Sequence, residues 1–418
     1  MSRPFLPPYC AAALALLLSA CNSRSDQSTS STETAPPAAA AAQAPAAATD
    51  SPGAWYRQYR GLLPGTADSI TLHLQAWPRL SNDTESAGVA ASYAGPDGQP
   101  FELMGDYESP ARADSLVLID YEPEHQTGPD NRGIVWRLRR QGSSLRGTVG
   151  GRPVQLRERQ PAGSLRLASR FLHDSVAAFP GQARSPHAQL RLLALLPTGP
   201  GAATATLAAN LLRHLRGDTV ETRPAPSIDS LWRQQVRRYA VEYRQDAAGS
   251  RPAPGDTASY PAGGLGLRYD DQQLMRVLWN QAPLLSVGFF SYGYTGGAHG
   301  NYNTRVQTYD TRTGRPLRFA DIFRAGSKPR LVPLLDQAAR RAFRLAPGAP
   351  LDGPLFEKHL PATDNVFLTS GGAVFVYAPY EVACYAQGEI RLFVPFAELS
   401  ALLKPGLPVG NQAATAAR

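Results

Sequence analysis

Between Trp55 and Gln160, short apolar and β-branched runs recur between clusters of turn residues, and no stretch keeps a helical period. Ile70 to Leu74, Gly88 to Tyr93, Phe101 to Gly105 and Ser115 to Tyr121 are such runs. Gly133 to Leu138, Leu145 to Val149 and Pro153 to Leu156 complete the set. In Ala94-Gly95-Pro96-Asp97-Gly98, the Pro, Asp and Gly each suit one position of a hairpin turn. Strands this short and closely spaced must pair with their neighbours, because no helix is available to carry a crossover. Residues 55–160 are therefore expected to form a small all-β domain, a barrel or a sandwich.

Beyond residue 160 the pattern is mixed. Leu165 to Leu172 and Gln189 to Leu196 read as strands, and Ala202 to Arg216 reads as a helix stopped by Gly217. Ser227 can cap a second helix, along which Trp232, Val236, Tyr239 and Tyr243 recur at helical spacing. A Gly/Pro-rich link follows, and Leu265 to Tyr269 reads as a strand ended by a turn at Asp270-Asp271. Strands are then expected at 275–279, 284–292, 302–309, 366–369, 373–377 and 389–394. A helix runs through Leu331, Leu335, Ala338 and Ala342, and a short one closes the fold from Pro395. Residues 161–405 thus predict an α+β domain, an antiparallel sheet with helices packed on it. Residues 406–418 lack periodicity and are expected to be a disordered tail.

The N-terminus reads as an address. One basic residue, Arg3, precedes the apolar run Cys10 to Leu18, which is about half the length of a membrane span. Leu18-Ser19-Ala20-Cys21 follows at once and resembles a bacterial lipobox. That resemblance implies a signal peptide over residues 1–20 and a diacylglycerol on the Cys21 thiol, a stable anchor. Asn22 after the cysteine, rather than Asp, points to the outer membrane. Residues 21–54 are rich in Ala, Pro, Ser and Thr and cannot bury a core, so they predict a disordered tether spanning about 30 Å. Of three cysteines, Cys10 leaves with the signal and Cys21 carries lipid. Cys384, in Val382-Ala383-Cys384-Tyr385, is then expected to be a buried structural thiol.

The net charge of +8 is unevenly divided: −1 over residues 1–52, −1 over 53–160 and +10 over 161–418. Only Lys328, Lys358 and Lys404 are lysines, and the arginine excess is the mark of a GC-rich genome. The basic balance is therefore no argument for nucleic acid, and none is expected as a partner.

A specific local order appears in the second half. Ser291-Tyr292-Gly293-Tyr294-Thr295-Gly296-Gly297-Ala298-His299-Gly300 precedes a strand ending in Tyr309-Asp310. Thr313-Gly314-Arg315-Pro316-Leu317, Ala320-Asp321-Ile322-Phe323 and Phe367-Leu368-Thr369 follow. Val374 to Tyr377, Pro379-Tyr380-Glu381, Glu389-Ile390-Arg391-Leu392 and Val394 to Leu399 complete the order. Over about 165–403 this resembles the extracellular C-terminal domain of the anti-sigma factor RsiV, also found beside peptidoglycan deacetylase domains. The resemblance implies an extracellular module that binds lysozyme in its best-understood member. The sigma-binding segment and transmembrane helix of RsiV have no counterpart here, so anti-sigma activity is not expected. Lysozymes are strongly cationic, and a +10 domain opposes their docking.

The residues themselves support two readings of the 295–300 segment. Its glycines allow close backbone approach, and His299 could act as acid or base on wall glycan. Equally, the segment is a tight strand connection in which His299 satisfies backbone groups. No G-x-S-x-G, H-E-x-x-H, P-loop or His–Asp metal spacing accompanies it, so no catalytic residue, cofactor or metal is assigned. Tyrosines concentrate around 292–302 and 377–385, and Tyr offers both a flat apolar face and a polar tip. Tyr294, His299, Tyr302 and Tyr380 are the expected ligand-binding set, since they flank turns. The expected ligand is a peptidoglycan fragment or an envelope protein, with a glycan hydrolase or deacetylase and an outer-membrane scaffold as the alternatives.

Overall fold

In the computed structural model the described residues are 49–80, 88–105, 115–122, 125, 133–218, 223–250 and 265–409. Cys21, the expected signal peptide, most of the expected tether and residues 410–418 lie outside them.

Eight strands open the fold: β1 (Trp55–Leu62), β2 (Ser69–Ala76), β3 (Val89–Ala94), β4 (Pro100–Gly105), β5 (Ser115–Asp120), β6 (Ile134–Gln141), β7 (Ser144–Val149) and β8 (Arg152–Glu158). Each pairs antiparallel with the next, and β8 returns to β1, so the all-β domain is a closed barrel and not a sandwich. Eight strands enclose about the volume that their inward side chains can fill. Here Tyr59, Leu72, Leu103, Trp136 and Leu145 fill it.

The second part begins with β9 (Leu167–Ala177) and β10 (His187–Pro197), then α1 (Ala202–Arg216) and α2 (Ile228–Ala247). Strands β11 (Asp270–Gln281), β12 (Leu284–Tyr294), β13 (Asn301–Asp310) and β14 (Arg315–Leu317) extend the same sheet in the order β14-β13-β12-β11-β10-β9. Gly217 ends α1 with a φ of 93°, a left-handed conformation that glycine adopts without strain. The Ser227 hydroxyl caps α2 by accepting from the Ser230 amide.

Two local expectations fail here. Asp270-Asp271 is not a turn but the start of β11, and Leu265–Leu267 is a 3-10 turn rather than strand. The cause is the pairing of β11 with β10, which is parallel while all other pairs are antiparallel. The chain crosses over through α1 and α2 to reach it. Asp270 then lies beside buried Arg191, whose Nη1 reaches both its carboxylate oxygens at 2.8 and 2.7 Å.

The chain continues with α3 (Phe319–Ile322), α4 (Lys328–Ala342), β15 (Val366–Leu368), β16 (Gly372–Tyr377), β17 (Ile390–Pro395) and α5 (Phe396–Leu399). Strands β15-β16-β17 form a small antiparallel sheet. One of its faces, Phe367, Val374 and Val376, packs on Leu278 and Val306 of the large sheet. The other, with Leu368, Phe375 and Leu392, packs under α4 and α5.

The barrel sits on the face of the large sheet opposite α1. Leu207 and Leu211 of α1 pack on Met275 and Val277 of β11, while Leu274 contacts Trp77 and Ala90 of the barrel. Polar side chains fix this docking. Gln75 donates to the Met275 carbonyl (2.8 Å) and accepts from the Val277 amide (2.7 Å). Ser92 donates to the Val277 carbonyl, and Gln58 to that of Asn280. These bonds are available because β10 pairs with β11 only as far as Leu274, which leaves the later β11 backbone groups on that edge without a ladder partner.

Candidate functional site

A cavity of about 530 Å³ opens where the barrel, the large sheet and the β17 segment meet. Its walls come from β4 and the end of β5, from β11 to β13, and from the turn that leads into β17.

Charged side chains line it in a connected network. Glu102 accepts from Arg276 Nη1 at 2.9 Å and from Arg391 Nη1 at 2.8 Å. Arg391 also donates through Nη2 to Glu389 Oε1 at 2.6 Å. The Arg276 guanidinium lies 3.9 Å above the Phe290 ring centre, a cation–π contact. Burial by itself would raise the Glu102 carboxyl, but the Arg391 and Arg276 guanidiniums hold it below the usual carboxylate range. Glu122 contacts no cation among the described residues: burial pushes it up to about 7, against the pull of the Glu102 amide and the Arg391 charge. Two buried atoms of the network, Glu389 Oε2 and Arg276 Nε, have no hydrogen-bond partner among the described residues. The site is thus nearly balanced in charge.

Tyr302 joins this cavity to an aromatic cluster outside it. Burial, followed by the Glu389 charge, raises the pKa of its hydroxyl. Its ring stands edge-on to Tyr385, 5.9 Å away. Tyr385 in turn stacks on His299 at 4.0 Å and lies 5.4 Å from Tyr380. The Tyr385 hydroxyl donates to the Gly300 carbonyl at 2.6 Å, as does His299 Nδ1 at 3.0 Å. A Cβ at Gly300 would lie 2.4 Å from the Tyr292 ring, so a larger residue there would displace that ring.

Three of the four residues expected to bind ligand therefore converge, His299, Tyr302 and Tyr380, and they do so around Tyr385. Tyr294 is not in that group; its hydroxyl donates to Gly297 and closes its own loop. Tyr380 is exposed and held at a φ of 68°, a left-handed conformation unfavourable for a bulky residue. Tyr309 and Tyr377 are fully buried and belong to the core. His299 is exposed and satisfies a backbone carbonyl, and among the described residues no carboxylate orients its ring. Cys384 is exposed, against the expectation of a buried thiol. Val382 and Ala383 are buried, but the 3-10 turn Tyr385–Gln387 that starts at Cys384 carries it outward.

Residues 320–397 match the family model of a protein of unknown function, DUF3298. The matched segment contributes the aromatic cluster from Tyr380 to Tyr385 and the Glu389–Arg391 wall of the cavity. A solved DUF3298 family member from Bacteroides fragilis is 21% identical, with a TM-score of 0.50, over 59% of this chain and 96% of its own. A second DUF3298 structure, from Pseudomonas aeruginosa, is 21% identical with a TM-score of 0.40, over 58% and 97%. At this identity the likeness to the first concerns fold alone. No curated protein matches the chain.

The candidate site residues that sequence reasoning missed are Tyr385 and the network of Glu102, Glu122, Arg276, Glu389 and Arg391. One signal was present: Arg276 interrupts the apolar run Leu274-Met275-Arg276-Val277-Leu278, where a strand buried on both faces would carry no charge.

Proposed function

We propose that this chain is a lipid-anchored cell-envelope protein, held through Cys21, whose cavity and tyrosine cluster bind a cell-wall glycan fragment without catalysis. The observation that carries the reading is the continuous path from the Tyr380–Tyr385–His299 stack, through Tyr302, to a balanced Glu–Arg network lining the cavity. Aromatic faces take the apolar side of a sugar ring, and paired donors and acceptors take its hydroxyl and amide groups. A neutral or zwitterionic ligand suits a site whose charges already cancel, whereas a cationic protein such as lysozyme meets a net-positive domain. The occurrence of the RsiV-like region beside peptidoglycan deacetylase domains points to a wall-glycan ligand, and Asn22 to the outer membrane.

Titration calorimetry with muropeptides from digested peptidoglycan tests this. The parent protein should bind, and Tyr385→Ala or Glu389→Gln should weaken binding at least tenfold. Absence of binding to every fragment overturns the reading. The enzyme alternative makes the opposite forecast: glycan cleavage or deacetylation by the parent, abolished in His299→Ala.

A further inference from the structure

The outer surface of the barrel carries a second charged feature, remote in kind from the cavity. Residues 134–159, which form β6 to β8, contain seven arginines and one acid, Glu158, although residues 53–160 as a whole are net −1. Strand alternation sorts these side chains. Trp136, Leu138, Leu145, Val154 and Leu156 point into the barrel, so Arg137, Arg139, Arg146 and Arg157 point out, and Arg60 of β1 does the same beside Tyr59. All five are exposed.

The register then sets like charges against each other. Arg139 is directly opposite Arg146, and Arg157 is directly opposite Arg60. Like charges in opposed positions destabilise a sheet. Glu158 does not relieve the Arg60–Arg157 opposition, since it pairs with Arg57 at 3.4 Å. Among the described residues Arg60, Arg137, Arg146 and Arg157 take part in no ion pair or side-chain hydrogen bond. A fold that concentrates guanidinium groups against its own stability, on four consecutive strands, presents them to an external anion. Guanidinium suits phosphate in particular, because its fork of donors matches two phosphate oxygens.

We infer that the β6-β7-β8-β1 face of the barrel docks on an anionic phospholipid surface, through its headgroup phosphates. The outside of a closed barrel is convex, so an extended surface is the partner it fits. The proposed Cys21 anchor and its tether of about 30 Å bring a bilayer within reach, and the inference rests on that reading for this point alone. Docked in this way, the barrel lies flat on the headgroups and fixes the orientation of the cavity relative to the membrane.

The test uses the full chain carrying Cys21→Ser, so that no lipid holds it, in co-sedimentation with vesicles. It should partition onto phosphatidylethanolamine vesicles containing phosphatidylglycerol, fail to bind phosphatidylcholine vesicles, and be released by high salt. Arg146→Gln and Arg157→Gln should each weaken partitioning about fivefold, and the melting temperature of the double variant should stay level or rise as two like-charge oppositions go. Equal binding to both vesicle types, or no loss in the double variant, overturns the inference. So does binding to soluble polyphosphate as tight as to the anionic bilayer, which would assign the face to a polymer. Mass analysis of the wild-type Cys21 separately decides the anchor, and the vesicle result stands whichever way that falls.

Discussion

Glu122 and Glu102 show how one cavity gives two carboxyl groups different properties. Both are removed from water, but among the described residues Glu102 contacts two guanidiniums and Glu122 none. Glu122 is therefore raised from 4.5 to about 7 in the folded protein. A raised carboxyl favours the fold only while protonated in both states, below pH 4.5. That contribution is lost as the pH climbs from 4.5 through 7, when the unfolded chain ionises first. Glu122→Gln stays neutral at every pH. Its stability should match or trail the parent below pH 4.5 and gain about 2 kcal/mol on it by pH 7. Urea midpoints measured across that range decide the matter, and parallel curves for the two proteins would show that Glu122 titrates normally. His299 teaches the converse lesson at this scale. A histidine between glycines invites a catalytic reading, yet its ring is occupied by Tyr385 on one face and by the Gly300 carbonyl at Nδ1.

Among elements, legibility followed locality. The α1 stop at Gly217, the Ser227 cap and the 94–98 hairpin were readable because each is decided by a few adjacent residues. The parallel β10–β11 pair was not, since nothing within either strand announces a partner some eighty residues away. Nor was the cavity network, whose Glu102, Arg276 and Arg391 are brought together by pairing and docking alone. Tyr385 was passed over because it sits in a 3-10 turn, where no periodicity marks its facing. The docking of the barrel rests on polar side chains that reach strand backbone, a pattern that sequence does not encode visibly. Gln75 alone satisfies one carbonyl and one amide of β11. Gln75→Ala leaves both buried groups unpaired and should cost about 2–4 kcal/mol, seen as a lower urea midpoint. It should also weaken muropeptide binding although Gln75 does not line the cavity, because Glu102 is held in place by that docking. A variant that loses stability and keeps full affinity would separate the two.

For the molecule as a whole, the cavity is the feature that three parts share: the barrel, the large sheet and the segment matching DUF3298. Neither the barrel nor the matched segment holds it alone, since Glu102 comes from one, Arg391 from the other and Arg276 from the sheet between. A ligand in the cavity therefore binds only the docked state and stabilises all three parts together. At a concentration a hundred times the dissociation constant this linkage amounts to about 2.7 kcal/mol, roughly a hundredfold in opening equilibria. Hydrogen exchange reads it locally: protection of the Glu102 amide in β4 and of the Arg391 amide in β17 should rise by the same factor on adding muropeptide. A ligand held by the tyrosine cluster alone has no hold on the barrel. In that case protection would rise around Tyr302 and Tyr385 and leave Glu102 unchanged, and the cavity would no longer be the site.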